Sequence, residues 1–598
     1  MAVSSSSPSE SEAPGELRFR GIPVSPGIAF GDVHFQTKRF ARPRTWPVED
    51  LQVEEEIARL TEVIVSTRKE IEQLKEQLVS QGGDPSEAHV FDAHLLVLED
   101  CTVIQEVTDM VRSDRMNVES VYYKVIRRYL DSLRKVDDPY LRERAVDIED
   151  VAGRVLEHLK DKVDPKPDGV KQQQRAHVLY AHDLTPSDTV HMDRKSVLGF
   201  ATELGSNTSH TAIMARSLAI PGVVGLNIPR GCLQFGQEVI LDGYNGLLIV
   251  GPKKDTREEY RTLAIKQNEL NLRLETLRDE AAATADGHAI TLSANIEFGH
   301  EVEQANRDGA AGVGLYRTEF FYFQQNKHPD EDQQAAVYSS IAKSVDPDGV
   351  IIRTLDVGAD KFYTDGRHAE PNPFLGWRGI RVSLLETEVF KTQLRACLRA
   401  SAAGKVRIMY PMISGIEELR QANAILKECQ GELCAQGIAF DENLEVGCMI
   451  ELPSAAVMAH LLAKEVDFFS IGTNDLIQYT IAVDRVNERV AHLYQPGHPA
   501  ILRLLQTIVS AAHNNGIWVG VCGEMAGDTL YTPILVGLGV DELSVGPNQI
   551  LRLKHALNHL DSHECQSLIA ELLAMQTADE IDARCREMAL TNYGDFFQ

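Results

Sequence analysis

The segment AITLSANI (289–296) opens a series of strand-like runs that decides the fold of this 598-residue chain. Each run is short and apolar and is followed by helical sequence. Strands that alternate with helices favour a parallel sheet, and eight such units in about 310 residues are typical of a TIM barrel. The other seven runs are GVGLYRTEF (312–320), GVIIRTLDV (349–357), VRIMYPM (406–412), EVGCMIEL (445–452), DFFSIGT (467–473), IWVGVCGE (517–524) and ELSVG (542–546).

Charged side chains gather where these runs end, which is where a TIM barrel builds its active site. Arginine matches phosphate and carboxylate oxygens with a planar fork, so several arginines at one mouth indicate an anionic ligand. Glu451 and Asp475 have no paired His or Cys and favour Mg²⁺, while Cys522 is a candidate acid. Any one arginine could instead form a salt bridge at a loop end, but together they favour a site. These arginines are Arg317, Arg353, Arg378, Arg381 and Arg485.

A second feature lies in GSNTSHTAIMAR (205–216), where a polar loop runs into a predicted helix. His210 sits at the junction. A helix N-terminus offers unpaired N–H groups and a positive dipole end, which together suit an anion. A lone histidine beside a helix usually has a structural role. The separate group of arginines and carboxylates at the barrel mouth nevertheless favours His210 as a carrier of a phosphoryl group.

Changes in the pattern of apolar and charged residues along the chain indicate several domains. A long amphipathic pattern from Leu51 onward, followed by helical stretches over about 86–113, 117–135 and 138–162, predicts a bundle of helices. Such a bundle usually serves as a scaffold, and its functional role would be docking. Short apolar strands return at 176–252, and a charged helical pattern follows. The expected order is a disordered tail, short strands and turns over 18–36, the helical bundle, a compact α/β domain over 176–252 that contains His210, a linker helix over 254–285 and the barrel.

Composition excludes several classes of function. The net charge of −28 argues against a nucleic-acid partner and makes a basic protein partner plausible. Nine scattered cysteines without a C-x-x-C pair indicate a reducing, cytoplasmic protein. No apolar run approaches the ~20 residues that cross a membrane, and the Ser-, Pro- and Glu-rich start is not typical of a signal peptide.

Many motifs, in order along nearly the whole chain, resemble Enzyme I of the bacterial phosphotransferase system, the family of phosphoenolpyruvate–protein phosphotransferases. The helical segment FDAHLLVLED (91–100) is one of them, and the barrel carries several more. The others that carry the resemblance include GIPVSPGIAFG (21–31), LTPSDT (184–189), TSHTAIMARSL (208–218), GLYRTEF (314–320), RTLDVGADK (353–361), NPFLGWRGIR (372–381), FFSIGTNDLIQYT (468–480) and VCGEMAGD (521–528).

The resemblance implies a division into a disordered tail (1–17), an α/β phosphohistidine domain (18–40 with 164–253), an inserted helical docking domain (41–163), a linker helix (254–285) and a C-terminal (β/α)8 TIM barrel (286–598). It also implies a two-step phosphoryl relay. Phosphoenolpyruvate and Mg²⁺ would bind the barrel, with Glu451 and Asp475 on the metal. His210 would attack phosphorus, Thr189 would orient the imidazole ring, and Cys522 would protonate the enolate to give pyruvate. The residues that would bind the substrate are Arg317, Arg353, Arg378, Arg485 and Asn474.

The resemblance also implies partners and marks two departures from the family. A small histidine phosphocarrier protein (HPr) would dock on the bundle and accept the phosphoryl group, and the chain would form a homodimer. The family usually has Arg or Lys where Asn207 stands, which predicts a weaker or retuned phosphohistidine step. The family commonly has Thr at the position of Leu452, which we interpret as a packing change.

Four alternatives stay open at this point. A regulatory-branch or weakly active homologue would share all these motifs. An ATP-dependent relative, such as pyruvate phosphate dikinase or phosphoenolpyruvate synthase, would need a large ATP-binding domain, whereas residues 1–175 are mostly helical and lack a glycine-rich phosphate loop. A metal-dependent aldolase or lyase would leave His210 without a role, and a regulatory scaffold would leave the barrel residues without one.

Overall fold

The structure of the protein is a computed structural model that describes residues 16–36, 40, 42–80, 89–133, 139–163, 176–182, 184, 196–203, 220–229, 231–299, 301–323, 329–358, 372–485, 487 and 489–594. The chain divides into two compact units, Met1–Asn268 and Glu269–Gln598. His210, Thr189 and Asn207 lie outside the described residues.

The first unit contains a mixed sheet, which has eight strands over the described part of the chain. Its order is β1-β8-β7-β3-β4-β5-β6-β2, and the neighbours from β3 to β6 are parallel while the other pairs are antiparallel. The strands are β1 (Leu17–Arg20), β2 (Ile22–Ser25), β3 (Ile28–Phe35), β4 (His177–Ala181), β5 (Val197–Thr202), β6 (Gly222–Val224), β7 (Glu238–Asp242) and β8 (Leu247–Val250).

A helical bundle is inserted between β3 and β4. Its apolar side chains recur at helical spacing and form one core, in which Leu60, Ile71, Val111 and Val155 are buried. Asp100 caps the third helix by accepting from Thr102 N at 2.8 Å, and this cap divides the predicted helix 86–113 into two. The helices in the described residues are α1 (Val53–Ser80), α2 (His89–Leu98), α3 (Cys101–Asp114), α4 (Val118–Leu133) and α5 (Pro139–Val163).

A charged helix, α6 (Lys254–Thr276), follows the sheet, and the boundary between the two compact units falls within it. Its first turn is fixed by Glu16. The Thr256 hydroxyl and the Lys253 N–H donate to Glu16 Oε2 at 2.6 and 2.9 Å. These two hydrogen bonds lower the pKa of Glu16 to about 2.

The second unit is a closed barrel of parallel strands, as the sequence predicts. Each strand pairs in parallel with the next, and the last pairs with the first. The described strands are β9 (Thr291–Ile296), β10 (Val313–Arg317), β11 (Val350–Arg353), β12 (Val406–Tyr410), β13 (Val446–Ile450), β14 (Phe468–Ile471), β15 (Trp518–Val521) and β16 (Glu542–Val545).

Helices between and after these strands bury the outer face of the barrel in one large apolar core. Those described are Glu301–Arg307, Glu319–Phe323, Glu331–Ser344, Ile380–Leu385, Thr387–Ser401, Ile416–Gln436, Pro453–Val457, Ala459–Leu462, Thr473–Ile481, Pro499–Asn514, Glu524–Gly527, Thr532–Leu538, Ile550–Asn558, Ser562–Leu572 and Ala578–Tyr593. Among the described residues, no helix is both long enough and apolar enough to span a membrane.

The inside of the barrel has its own apolar cluster, built from one side chain on each of several strands. Leu315, Ile351 and Met449 belong to it. Side chains along a strand alternate between the two faces, so the residues two positions further on also face inward. Arg317, Arg353 and Glu451 occupy those positions, which places them at the carboxyl end of the barrel interior.

Candidate active site

Most of the predicted barrel residues lie at or just beyond the carboxyl ends of strands, whereas Arg381 lies on the helix Ile380–Leu385 and donates to the carbonyl oxygens of Leu375 and Gly376. Arg317 and Arg353 end β10 and β11, Glu451 follows β13, and Cys522 follows β15. The turn after β14 leads into the helix Thr473–Ile481, which carries Asn474 and Asp475. Arg378 and Arg485 come from the loops at the same end.

Arg378 joins two carboxylates. It donates to Asp356 through Nε and Nη2, at 3.3 Å to Oδ1 and 3.0 Å to Oδ2, and Nη2 also lies 3.1 Å from Asp475 Oδ2. Its Nη1 donates to the Tyr479 hydroxyl at 3.2 Å. Burial opposes the charge of Arg378, but the two aspartates outweigh burial and raise its pKa. The guanidinium is therefore fixed in place by planar, charge-assisted hydrogen bonds.

Arg353 is held in the same way from the other side of Asp356. Its Nη2 donates to Glu319 Oε1 at 2.9 Å, and its Nη1 lies 3.1 Å from Asp356 Oδ2. Glu319 Oε1 also accepts from Asp356 N at 3.1 Å. Burial would lower the pKa of Arg353, but Glu319 and Asp356 raise it.

Three carboxylates form a cluster in this mouth. Oxygen atoms of Asp356, Glu451 and Asp475 lie within 4.8 Å of one another. Glu451 is buried and accepts from Met412 N at 2.6 Å. Burial, followed by the charges of Asp356 and Asp475, raises the pKa of Glu451 to about 8.

This cluster fits a divalent cation. Its donors are all carboxylate oxygens, which is the ligand type that Mg²⁺ prefers. Burial, and after it repulsion from Asp356 and Asp475, raises the pKa of Glu451 despite the two neighbouring arginines. An added positive charge would relieve this repulsion.

The backbone around the cluster is unusual at two positions. Met412, whose N–H points at Glu451, has a φ of 56°, in the left-handed region that non-glycine residues rarely adopt. Gly379 has a φ of 59°, and a Cβ there would lie 2.8 Å from Met412 Cγ and 3.0 Å from Asp356 Oδ1. Only glycine therefore fits at position 379 without displacing its neighbours.

Cys522 lies at the floor of the mouth, where it is buried. Its Sγ is 3.7 Å from the Ile471 carbonyl oxygen, to which the thiol donates. Burial raises the pKa of Cys522 to about 11, although a hydrogen bond with Ser470 opposes the shift. The thiol is therefore protonated at neutral pH and can donate a proton.

Two further predicted residues share one carboxylate. Asn474 Nδ2 donates to Glu524 Oε1 at 3.1 Å, and Glu524 N donates back to Asn474 Oδ1 at 2.8 Å. Arg485 Nη1 lies 3.5 Å from the same Glu524 oxygen. Arg317 lies apart from this group and pairs with Glu297 at 2.7 Å.

The structure thus brings Arg353, Arg378, Glu451 and Asp475 together at one mouth, with Asp356 between the arginines. The sequence analysis selected neither Asp356 nor Glu319 as a site residue. Both could have been found, since each stands within three residues of a predicted arginine.

Three family models match the chain. They are "PEP-utilising enzyme, N-terminal" over residues 20–144, "PEP-utilising enzyme, mobile domain" over residues 173–246 and "PEP-utilising enzyme, PEP-binding domain" over residues 272–562. The carboxylate and arginine cluster lies in the last of these.

Curated proteins are similar over almost the whole chain. The phosphoenolpyruvate-protein phosphotransferase of Bacillus subtilis is 42% identical over 577 residues, which cover 95% of this chain and 99% of that protein. The protein of the same name from Haemophilus influenzae is 40% identical over 575 residues, with 96% and 99% covered. Among solved structures, an NMR solution structure of Enzyme I (nEIt) is 36% identical and covers 42% of this chain and 99% of its own, with a TM-score of 0.33.

Proposed function

Since this chain belongs to the phosphoenolpyruvate-protein phosphotransferase family, we propose how its own residues perform that reaction. The enzyme transfers the phosphoryl group of phosphoenolpyruvate to a protein, the first step of the phosphotransferase system. The observation that carries the mechanism is the convergence of Arg353 and Arg378 with three carboxylates at the carboxyl end of the barrel.

The arginines would bind the anionic substrate. Arg317, Arg353 and Arg485 would face the phosphoryl oxygens, because a guanidinium matches their geometry. Asn474, which shares Glu524 with Arg485, would help to hold the substrate, as would Arg378. The prior pairing of Arg353 and Arg378 with carboxylates fixes their orientation before the substrate arrives, which lowers the cost of ordering them.

Glu451 and Asp475 would hold Mg²⁺. When bound, the ion supplies positive charge that stabilises the phosphoryl oxygens. Asp356 is committed to both arginines and would set the distance between them and the carboxylates.

We propose that His210 receives the phosphoryl group. A ring nitrogen of His210 would form the bond to phosphorus as the bond between phosphorus and the enol oxygen breaks, and the electron pair would stay on that oxygen. Thr189 would orient the ring. The Cys522 thiol would then donate its proton to the methylene carbon of the enolate, which yields pyruvate.

The domains and partners complete this proposal. Residues 18–40 with 164–253 would form the phosphohistidine domain, 254–285 would be the linker, and 286–598 would bind the substrate. Residues 41–163 would dock a small histidine phosphocarrier protein (HPr), which takes the phosphoryl group from His210. The net charge of −28 supports a basic partner. We further propose that the chain forms a homodimer and that it works in the cytoplasm. The nine unpaired cysteines agree with a reducing compartment.

Labelling with radioactive phosphoenolpyruvate and Mg²⁺, without ATP, tests the proposal. We expect an acid-labile, base-stable label on the wild type, no label on His210→Ala, and normal label on His182→Ala, a histidine that pairs with Glu203 at 2.6 Å. Chelation of the metal should abolish the label. Absence of label on the wild type would favour the regulatory or lyase alternatives, and label that required ATP would favour a dikinase.

A further inference from the structure

The side chain of Asn295 joins three neighbouring strand ends inside the barrel. It lies on β9, and its Nδ2 donates to the carbonyl oxygens of Cys522 and Ser544, each at 3.0 Å. Its Oδ1 accepts from the Ser544 hydroxyl at 2.6 Å. The amide thereby makes three of the four hydrogen bonds that its two N–H groups and two oxygen lone pairs allow.

The Asn295 amide provides a hydrogen bond just beyond the last described backbone pair between β15 and β16. β15 and β16 pair at Gly520 with Glu542 and at Val521 with Leu543. Cys522 is the next residue, and its carbonyl accepts from Asn295 instead. On the other side, Cys522 N donates to the Ile471 carbonyl oxygen at 3.1 Å. The two peptide groups of Cys522 are therefore fixed by different neighbours, β14 through the N–H and Asn295 through the carbonyl.

We propose that Asn295 is a positioning residue that directs the Cys522 thiol toward the reacting carbon. The inference rests on the proposed role of Cys522 as the proton donor. If the amide were absent, two carbonyl oxygens at the end of the ladder would lose their donor, and the backbone after Val521 would move to recover hydrogen bonds. A displacement of about 1 Å in a catalytic group is enough to slow its step by about 100-fold.

Exchange of the methyl hydrogens of pyruvate in D₂O isolates the proton transfer from the phosphoryl transfer. In this reaction the Cys522 thiol loses its proton to solvent, and the thiolate removes a proton from the methyl carbon. The C–H electron pair forms the enolate, and a deuteron returns to the carbon from the exchanged thiol. The exchange needs the full chain, Mg²⁺ and pyruvate, but no phosphoryl donor and no oxidant.

The test compares this exchange with the labelling of His210 by phosphoenolpyruvate in the same preparations. We expect Asn295→Ala to lower the exchange rate by about 10- to 100-fold while labelling falls much less. Ser544→Ala, which removes the donor to Asn295 Oδ1, should lower the exchange in the same sense and serves if Asn295→Ala does not fold. Ser293→Ala is the matched control, because Ser293 is also buried on β9 and its hydroxyl donates to Ala311 O at 3.0 Å, whereas the bonds of Asn295 run to Cys522 and Ser544.

The outcomes are distinguishable. Exchange at the wild-type rate in Asn295→Ala, or equal losses of exchange and labelling, would overturn the positioning role. Exchange retained in Cys522→Ala would show that the thiol is not the proton donor and would overturn the assignment on which this inference rests. Loss of exchange in Cys522→Ala together with wild-type exchange in both Asn295→Ala and Ser544→Ala would leave the thiol as the donor and reject Asn295 alone.

Discussion

One carboxylate oxygen, Oε1 of Glu319, holds two parts of the candidate site in register. It accepts from the Arg353 guanidinium and from the backbone N–H of Asp356. Asp356 in turn holds Arg378. Glu319 hydrogen-bonds to Arg353 and Asp356 but is not itself a proposed ligand of the metal or substrate, so its loss should loosen Arg353 without removing any group that meets the substrate.

We expect Glu319→Gln to reduce phosphorylation by phosphoenolpyruvate by about tenfold, because glutamine can still accept both hydrogen bonds but lacks the charge. Glu319→Ala should reduce it by about 100-fold, since it leaves a buried arginine short of one partner. Rapid-quench measurement of the labelled protein checks both values. The control is Glu331→Gln, whose carboxylate pairs with Arg395 and Arg399 on outer helices and should not affect the rate.

The pH dependence of alkylation tests the environment of Cys522. Burial disfavours the thiolate and raises the pKa to about 11, so the reactive thiolate is scarce at neutral pH and increases as pH rises. Iodoacetamide should modify Cys522 at a rate that rises about tenfold per pH unit between pH 7 and 9. Peptide mass spectrometry resolves this cysteine from the exposed Cys434. A plateau near pH 8.5, where an ordinary thiol ionises, would contradict the buried setting.

The sequence identifies which residue types meet at the mouth, but not how they pair. Arg353, Glu451 and Asp475 can be selected because each stands at or just after the end of a predicted strand and carries a group that binds anions or metal ions. The bidentate pairing of Arg378 with Asp356 joins residues 22 positions apart, and no local pattern predicts it. His210 and Thr189 stay predictions, because both lie outside the described residues.

At the scale of elements, the turn before the helix Ile380–Leu385 packs against Met412 and Asp356. Gly379 has a left-handed φ, and its space is bounded by Met412 and Asp356. Gly437, which ends the helix Ile416–Gln436, also has a left-handed φ, of 71°, but a Cβ there would meet nothing within 4 Å. The two glycines therefore share a backbone requirement and differ only in their surroundings.

We expect Gly437→Ala to lower the free energy of unfolding by about 1 kcal/mol, the cost of a left-handed alanine. Gly379→Ala should lower it further and should also slow phosphorylation, because its methyl group meets Met412 and Asp356. Chemical denaturation and the labelling assay separate the two effects. Equal activity in the two variants would show that the contact with Asp356 does not matter.

The strands of the barrel could be located from the sequence more accurately than the ends of the helices. Each of the eight predicted strand runs contains one strand of the barrel, because a run buried on both faces is apolar throughout. The helix expected over 86–113 is wrong as a single element, since Asp100 accepts from Thr102 N and starts a new helix. Its apolar pattern continues across that break, and apolar periodicity does not detect a cap.

At the scale of the whole molecule, the charge of −28 bears on the second step of the relay. Attraction between an acidic enzyme and a basic carrier is screened by salt, whereas a buried active site is screened less. Raising the ionic strength from about 0.05 to about 0.3 M should therefore slow phosphorylation of the carrier by about tenfold. Labelling of the enzyme without carrier should change little, and stopped-flow assays with each reaction alone provide the comparison. Equal salt dependence of both steps would contradict electrostatic docking.

The architecture as a whole was accessible from sequence, because alternating strand and helix patterns allow few closed arrangements. The barrel and the mixed sheet with its inserted bundle are confirmed. The order of the mixed sheet was not accessible, because β1 and β2 take places at opposite edges although they are adjacent in sequence. Such long-range pairing depends on the packing of the finished unit.

The alternation of side chains inside the barrel also constrains how this gene can change. Arg317, Arg353 and Glu451 face the interior because each stands an even number of residues from an interior apolar side chain. A single inserted or deleted codon within β10, β11 or β13 would turn one of these groups toward the helices and its neighbour toward the ligand. Lineages descended from this chain should therefore gain and lose length in their loops while these strands keep an unchanged residue count.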